Sequence, residues 1–251
     1  MLPPAGRIEP LNGINLYYEV HGSGEPVLLL HGFGGSSLDW APLAAEWVAD
    51  FQVIVPDLRG HGRSTNPAGA FRHEQAASDI AALLDRLGVT AFKGVGVSGG
   101  GNVLLHLATR QPDRVRAMVL ISATSHFPEQ ARPIMRNYTF DLLPKVEQEK
   151  MRRRHPGGAA QIEAIFAQAR AFADSYDDLN FSAQDLAKIT ARTLIVQGDR
   201  DPFYPVQISV DMAAAIPQSS LWIVPGSGHG PIGGERWPEF VKAALAFLRR
   251  S

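Results

Sequence analysis

Short apolar runs alternate with amphipathic helical patterns along most of this chain, which is typical of an α/β fold. The segments that predict strands are Arg7–Leu11, 14–20, 26–30, 52–56, Phe92–Val97, Val115–Ile121, 193–197 and 221–224. Helical patterns lie at 41–49, at 74–87, from the 96–100 turn to about 111, at 159–173, at Val206–Ala215 and at 235–250, and a capping box at 182–185 predicts the start of a further short helix. The Asn12-Gly13 turn predicts that the first two strands form an antiparallel hairpin. We therefore predict a mostly parallel central sheet of about eight strands, covered by helices on both faces.

The alternation of strands and helices stops between Ser125 and Phe181. This stretch contains several prolines, and the patterns between them are helical rather than strand-like. An insertion that follows one strand of a parallel sheet is expected to lie over the strand ends. We predict a single domain over residues 1–251, with a helical cap insertion at about 125–181.

Composition excludes several classes of protein. The net charge of −1 gives no electrostatic reason to expect nucleic acid as a partner. No apolar run approaches the ~18 residues of a membrane span, and the first ten residues lack the features of a signal peptide. The absence of cysteine excludes disulfides and thiolate metal sites. We expect a cytoplasmic protein.

The residues 96–100 read Gly-Val-Ser-Gly-Gly, between a predicted strand and a predicted helix. This G-x-S-x-G pattern at a strand-to-helix turn is the context of a nucleophile elbow. A serine in a strained backbone conformation leaves no space for bulk two residues to either side, which favours glycine at both positions. Ser98 is therefore a candidate nucleophile, whereas the alternative is a glycine-rich loop without chemistry.

A serine hydroxyl needs a neighbouring base, which is itself oriented by an acid. Ligands of parallel sheets bind at the carboxyl ends of the strands. Asp199 and Asp201 follow the predicted strand 193–197, and His229 follows 221–224. The candidates thus occur in the order Ser, Asp, His, with two aspartates to choose between.

Five ordered motifs now make the resemblance clear: HGFGG (31–35), PDLRGHGRS (56–64), GVSGGG (96–101), GDRDPFYP (198–205) and GSGHG (226–230). Together they resemble the α/β-hydrolase fold family over nearly the whole chain. The resemblance implies that Ser98 attacks a carbonyl, that His229 takes and returns its proton, and that Asp201 orients His229. Asp199 is the rival acid. It also implies that the backbone N–H groups of Phe33 and Gly99 form an oxyanion hole.

Other polar residues receive structural interpretations. We expect His31 to brace its loop, Asp57, Arg59 and His61 to form a packed loop network, and His106 to be a satisfied histidine. The run Arg152-Arg153-Arg154 is interpreted as a solvated helix end. No H-E-x-x-H or Walker pattern occurs, so neither a metal nor another cofactor is predicted.

The resemblance implies hydrolysis of a small carboxylic ester through an acyl-enzyme. A serine at the elbow argues against dehalogenases and epoxide hydrolases of this fold, which have aspartate there. Lactonase, C–C bond hydrolase, perhydrolase and hydroxynitrile lyase activities remain alternatives, although Gly230 stands where the C–C hydrolases usually have an aromatic residue. A non-catalytic small-ligand receptor is a further alternative, and a homo-oligomer stays open.

Aromatic residues of the insertion either line a pocket for an acyl or alcohol group or pack the insertion onto the sheet. They are Phe127, Tyr138, Phe140, Phe166, Phe172, Tyr176 and Phe181.

Overall fold

The computed structural model describes residues 6–250 and contains one eight-stranded sheet within them. The strands are β1 (Arg7–Leu11), β2 (Ile14–His21), β3 (Glu25–Leu30), β4 (Phe51–Pro56), β5 (Phe92–Val97), β6 (Val115–Ile121), β7 (Arg192–Gly198) and β8 (Ser219–Val224). Their order across the sheet is β1-β2-β4-β3-β5-β6-β7-β8. The predicted fold class is confirmed. Residues 1–5, on which the expectation about a signal peptide partly rests, and residue 251 lie outside the described range.

The helices cover both faces of this sheet. They are α1 (Ala41–Trp47), α2 (His73–Arg86), α3 (Gly99–Arg110), α4 (Ala131–Arg136), α5 (Lys145–Arg154), α6 (Gly158–Ala171), α7 (Ala183–Leu186), α8 (Val206–Ala215) and α9 (Trp237–Arg249). Predicted ends differ from these by a few residues, in part because 3₁₀ turns adjoin the helices, as Phe172–Asp174 does after α6. Within residues 6–250, no helix combines the length and the apolar character needed to cross a membrane.

Strand direction determines where the site can form. The hairpin of β1 and β2 turns at Asn12 and Gly13, which have φ angles of 49° and 75°, as a type I′ turn requires. The strand β2 is also antiparallel to β4, whereas β3 to β8 pair in parallel. The carboxyl ends of these parallel strands therefore meet at one edge, where ligands bind in such sheets.

Side chains of β3 show how the core is divided. Leu28 and Leu30 are buried on the face that α2, α3 and α8 cover. Val27 and Leu29 are buried on the opposite face, against α1 and α9. This alternation, with both sets apolar, explains why the strand reads as a continuous apolar run.

The chain between β6 and β7 forms α4 to α7 and leaves and returns through neighbouring residues. His126 and Asn180 form an isolated antiparallel bridge, and Phe181 N–H donates to Ser125 O at 3.0 Å. We call residues 125–181 the helical insertion. A cluster of Met151, Ile162, Ile165 and Phe166 is buried within it.

Candidate active site

Ser98 lies in the turn between β5 and α3, with φ 49° and ψ −116°. This left-handed conformation is strained for a residue other than glycine. A Cβ atom on Gly96 would lie 2.6 Å from Gly100 O, and one on Gly100 would lie 2.5 Å from His31 O. Because backbone atoms occupy both places, only glycine fits there, as the sequence predicts.

Three side chains form a continuous hydrogen-bonded chain at the edge where the parallel strands end. His229 Nε2 is 2.9 Å from Ser98 Oγ, and His229 Nδ1 is 2.7 Å from Asp201 Oδ2. The carboxylate can only accept, so His229 Nδ1 donates to it and Nε2 is left free to accept from the serine hydroxyl. Asp199 is exposed and instead accepts from the Ser227 N–H at 3.2 Å.

Asp201 is held as a charged acceptor. Its carboxylate accepts from Gln197 Nε2 at 2.9 Å and from the backbone N–H groups of Phe203 and Tyr204 at 2.8 and 3.1 Å. Burial would raise the pKa of Asp201, but the hydrogen bond and charge of His229 and these backbone donors outweigh burial and lower it. The geometry thus fixes one orientation and one tautomer of His229.

The backbone N–H groups of Phe33 and Gly99 lie beside Ser98. A Cβ atom on Gly99 would be 3.3 Å from Phe33 N, which brings the loop after β3 against the start of α3. Within residues 6–250, neither N–H has a hydrogen-bond acceptor. Both donors are therefore available to an oxygen atom of a bound molecule.

Two cavities meet at His229, and Ser98 lines the inner one. The inner cavity has a volume of about 130 Å³ and is lined by Ser98, Gly99, His229 and mainly apolar side chains. The outer cavity has a volume of about 580 Å³ and is lined by His229, the loop 31–35 and residues of α5 and α6. The residues that line both cavities are Phe33, Tyr138, Ala169 and His229.

The aromatic residues of the insertion divide between the two expected roles. Phe127 and Phe172 are buried in the main core and also line the inner cavity. Phe166 is buried in the insertion's own cluster, whereas Tyr176 is exposed and lies over Arg132. Packing and pocket lining are thus done partly by the same side chains.

The structural interpretations of the loop residues are confirmed. His31 Nδ1 is 2.8 Å from Gly32 O, and its Nε2 accepts from Leu58 N at 2.9 Å. Asp57 accepts from Ser37 N at 2.6 Å, and Arg59 donates twice to Asp79 at 2.6 and 3.0 Å.

His61, His106 and Arg154 also make structural contacts. His61 Nδ1 is 2.9 Å from Arg59 O, and His106 is a buried histidine whose Nε2 is 2.8 Å from Asp178 O. The arginine run is only partly solvated, because Arg154 donates to Asp39 at 2.8 Å.

Sequence reasoning missed several polar residues of the inner cavity. His73, Asn102 and Tyr204 line it together with Ser98. Tyr204 packs edge-on against His229, with ring centroids 5.3 Å apart. Burial and the charge of Asp201 raise the pKa of the Tyr204 phenol, so it keeps its proton. Tyr204 lies within the motif 198–205 and Asn102 directly follows the motif 96–101, but neither motif shows which side chains face a cavity. No motif contains His73, because its partner Asp178 is 105 residues away.

Ser122 is another missed residue and has a supporting role. It follows β6 with a φ angle of 49°, and its hydroxyl accepts from Gly230 N at 3.0 Å. This bond anchors the backbone directly after His229.

Within the described part of the chain, no group of three or more His, Asp or Glu side chains is arranged to hold a metal ion.

The fold, the elbow and the hydrogen-bonded Ser98, His229 and Asp201 define a protein of the α/β-hydrolase class. Residues 25–155 match the family model described as alpha/beta hydrolase fold, and residues 176–249 match the one described as TAP-like protein. The chain belongs to the alpha/beta hydrolase fold family.

Proteins that are similar to this chain carry the names of different enzymes. A 2-hydroxymuconate semialdehyde hydrolase from Pseudomonas putida is 31% identical, over 90% of this chain and 88% of its own length. A thermophilic esterase structure from Thermogutta terrifontis is 28% identical with a TM-score of 0.75, covering 99% of this chain and 98% of that one. The structure of Est816, an N-acyl homoserine lactone degrading enzyme, is 27% identical with a TM-score of 0.77. The match covers 96% of this chain and 100% of that one.

Proposed function

We propose that this protein hydrolyses small carboxylic esters through a covalent acyl intermediate on Ser98. The observation that carries the proposal is the unbroken chain of hydrogen bonds from Ser98 Oγ through His229 to Asp201. In the first step, His229 Nε2 takes the hydroxyl proton while Ser98 Oγ bonds to the carbonyl carbon. The same histidine then protonates the departing alcohol, and later activates a water molecule that releases the acid.

The negative charge that develops on the carbonyl oxygen is stabilised by the N–H groups of Phe33 and Gly99. Their lack of other acceptors among residues 6–250 means that no existing bond must break when the substrate enters. Loss of one such donor typically lowers the rate by ~100–1,000-fold. The reaction needs no metal or organic cofactor.

The two cavities suggest where the acyl and alcohol parts of the substrate bind. The inner cavity of about 130 Å³ is similar in size to an engineered cavity of ~150 Å³ that binds benzene, so it accommodates up to about six non-hydrogen atoms. We assign the acyl group to this cavity and the alcohol to the larger outer one. The helical insertion, which lines both, acts as a cap that selects the substrate.

The test uses purified protein, a fluorophosphonate probe and methyl esters of increasing acyl length. We expect labelling of the Ser98 peptide and a fall in kcat/KM beyond about six acyl atoms. The Ser98→Ala variant should lose labelling and turnover, whereas Ser227→Ala, a serine in the loop before His229, should keep both. A folded protein that is neither labelled nor active on any ester would refute the proposal.

C–C bond hydrolysis is a second candidate, because the relative at 31% identity is a 2-hydroxymuconate semialdehyde hydrolase. The same three side chains can serve it, so the bond that is cleaved has to be tested directly. Turnover of 2-hydroxymuconate semialdehyde with a higher kcat/KM than the best ester would replace the ester proposal.

A further inference from the structure

A second pair of a histidine and a carboxylate lies in the wall of the inner cavity. His73, at the first position of α2, has its Nδ1 2.8 Å from Asp178 Oδ2 in the helical insertion. Both side chains are about 2% exposed. The Asp178 carboxylate also accepts from the backbone N–H groups of His73 and Glu74, at 2.8 and 3.2 Å. This pair has no part in the proposed ester chemistry.

The pair fixes which atom of His73 faces the cavity. Asp178 is a carboxylate, since its donors outweigh burial and lower its pKa to about 2. It can therefore only accept, so His73 Nδ1 carries a hydrogen and, in the neutral ring, Nε2 carries a lone pair. That Nε2 atom would lie 3.5 Å from a Cβ atom on Gly99. It has no hydrogen-bond partner among residues 6–250.

A second polar side chain of the cavity wall, Asn102, already has partners within the protein. It is about 1% exposed, its Oδ1 accepts from Thr124 N at 2.9 Å, and its amide lies beside the Tyr204 phenol. His73 Nε2, in contrast, is an acceptor in a nearly buried side chain. Such an acceptor without a donor costs free energy, so native proteins rarely keep one without a use.

The position of His73 indicates which part of the substrate it would meet. The departing alcohol has to face His229, which protonates it. His73 is instead next to Gly99, on the side of the two oxyanion donors. A group near His73 would therefore belong to the acyl part, close to the carbonyl carbon.

We propose that His73 selects esters whose short acyl group carries a hydroxyl next to the carbonyl, that is, 2-hydroxyacyl esters. A hydroxyl in this position would donate its hydrogen to His73 Nε2, which satisfies this acceptor. A methyl group in its place would leave His73 Nε2 unsatisfied. This inference rests on the proposed ester hydrolysis and names its substrate class.

The test compares methyl lactate, as each enantiomer, with methyl 2-methylpropanoate, in which a methyl group replaces the hydroxyl. The ratio of their kcat/KM values is divided by the ratio of their hydroxide-catalysed rates, because the hydroxyl also activates the ester. In the wild type we expect one enantiomer to exceed the methyl analogue by about 10–100-fold after this correction.

Two substitutions of His73 distinguish a role of its Nε2 atom in the cavity from a role of its side chain in the fold. In His73→Asn the amide nitrogen can still donate to Asp178, but no atom replaces Nε2, so the preference should fall to about 1. In His73→Gln a polar atom reaches the place of Nε2, and part of the preference should return. The preference is a ratio of two rates measured on one variant, so a loss of activity that is common to both substrates does not affect it.

The outcomes distinguish this inference from the proposed function. Hydrolysis of methyl 2-methylpropanoate without any corrected preference for lactate would overturn the inference and leave the ester proposal intact. An unchanged preference in an active His73→Asn variant would also overturn it. Failure of the wild type to hydrolyse any ester would overturn the proposed function itself.

Discussion

Asp178 offers a quantitative test of how the helical insertion is attached to the body of the protein. Its carboxylate accepts three hydrogen bonds from the first turn of α2, where the positive end of the helix dipole also favours an anion. These interactions lower its pKa from 3.8 to about 2, even though burial acts in the opposite direction. At ~1.36 kcal/mol per pKa unit, this corresponds to about 2 kcal/mol of stability at neutral pH.

The Asp178→Asn variant should lose this contribution, because an amide has only one oxygen and its NH₂ group would face a backbone N–H. We expect a free energy of unfolding lower by about 2 kcal/mol at pH 7, and a Tm lower by roughly 4–8 °C. Urea unfolding followed by circular dichroism measures the first, and thermal melting the second. The matched control is Asp177→Asn, since Asp177 is exposed and pairs with Arg72 at the surface, at 3.1 Å. That variant should change stability by less than about 1 kcal/mol.

The sign of the pH dependence follows from the lowered pKa. A carboxylate whose pKa is lower in the folded state stabilises fully above its unfolded pKa of 3.8 and loses this effect as pH falls towards 2. The difference between wild type and Asp178→Asn should thus be constant above about pH 5 and shrink by roughly half at pH 3. Equal stability at pH 7, or a difference that grows in acid, would refute the reasoning.

Three further predictions concern other parts of the protein. Asp201→Asn should lower kcat with esters by about 10⁴-fold, whereas Asp199→Asn should keep most activity; the reverse order would make Asp199 the acid. Gly100→Ala should prevent folding, because its Cβ would lie 2.5 Å from His31 O, whereas Gly233→Ala meets nothing within 4 Å and should fold normally, as judged by soluble yield and melting. Burial lowers the pKa of His155 from 6.5 to about 4. Between these two pH values the unfolded chain binds more protons than the folded protein, so the free energy of unfolding rises with pH in this range. His155→Gln should reduce that slope by up to about one proton in urea titrations, and an unchanged slope would contradict the assignment.

The sheet and the Ser98 turn could be predicted from the sequence because their signals are local. A strand buried on both faces appears as a continuous apolar run, as at Val27 to Leu30, and a crowded turn shows itself in the glycines at 96 and 100. Parallel strand ends then bring Asp201 and His229 to the same edge without knowledge of any contact.

The insertion was harder to interpret, because some of its helices have no apolar stripe. Helix α5 buries only Gln148 and Met151, and most of its other residues are charged, so its periodicity predicts little. Helix α6 buries Ile162, Ile165, Phe166 and Ala169 on one face and was predicted correctly to within two residues at each end. Polar attachments were not predictable either, since Arg154 meets Asp39 at a separation of 115 residues.

His73 was missed for the same reason, and its case indicates how the insertion contributes to the proposed site. Its orientation depends on Asp178, 105 residues away, and no spacing rule links the two. The same carboxylate binds the first turn of α2 and orients His73 towards the cavity, so one bond network both attaches the insertion and shapes the proposed acyl pocket. The proposed reacting groups all follow strands of the sheet, whereas this network crosses to the insertion. Substitutions in the insertion can therefore alter which acyl group is accepted while the geometry of Ser98 and His229 is retained.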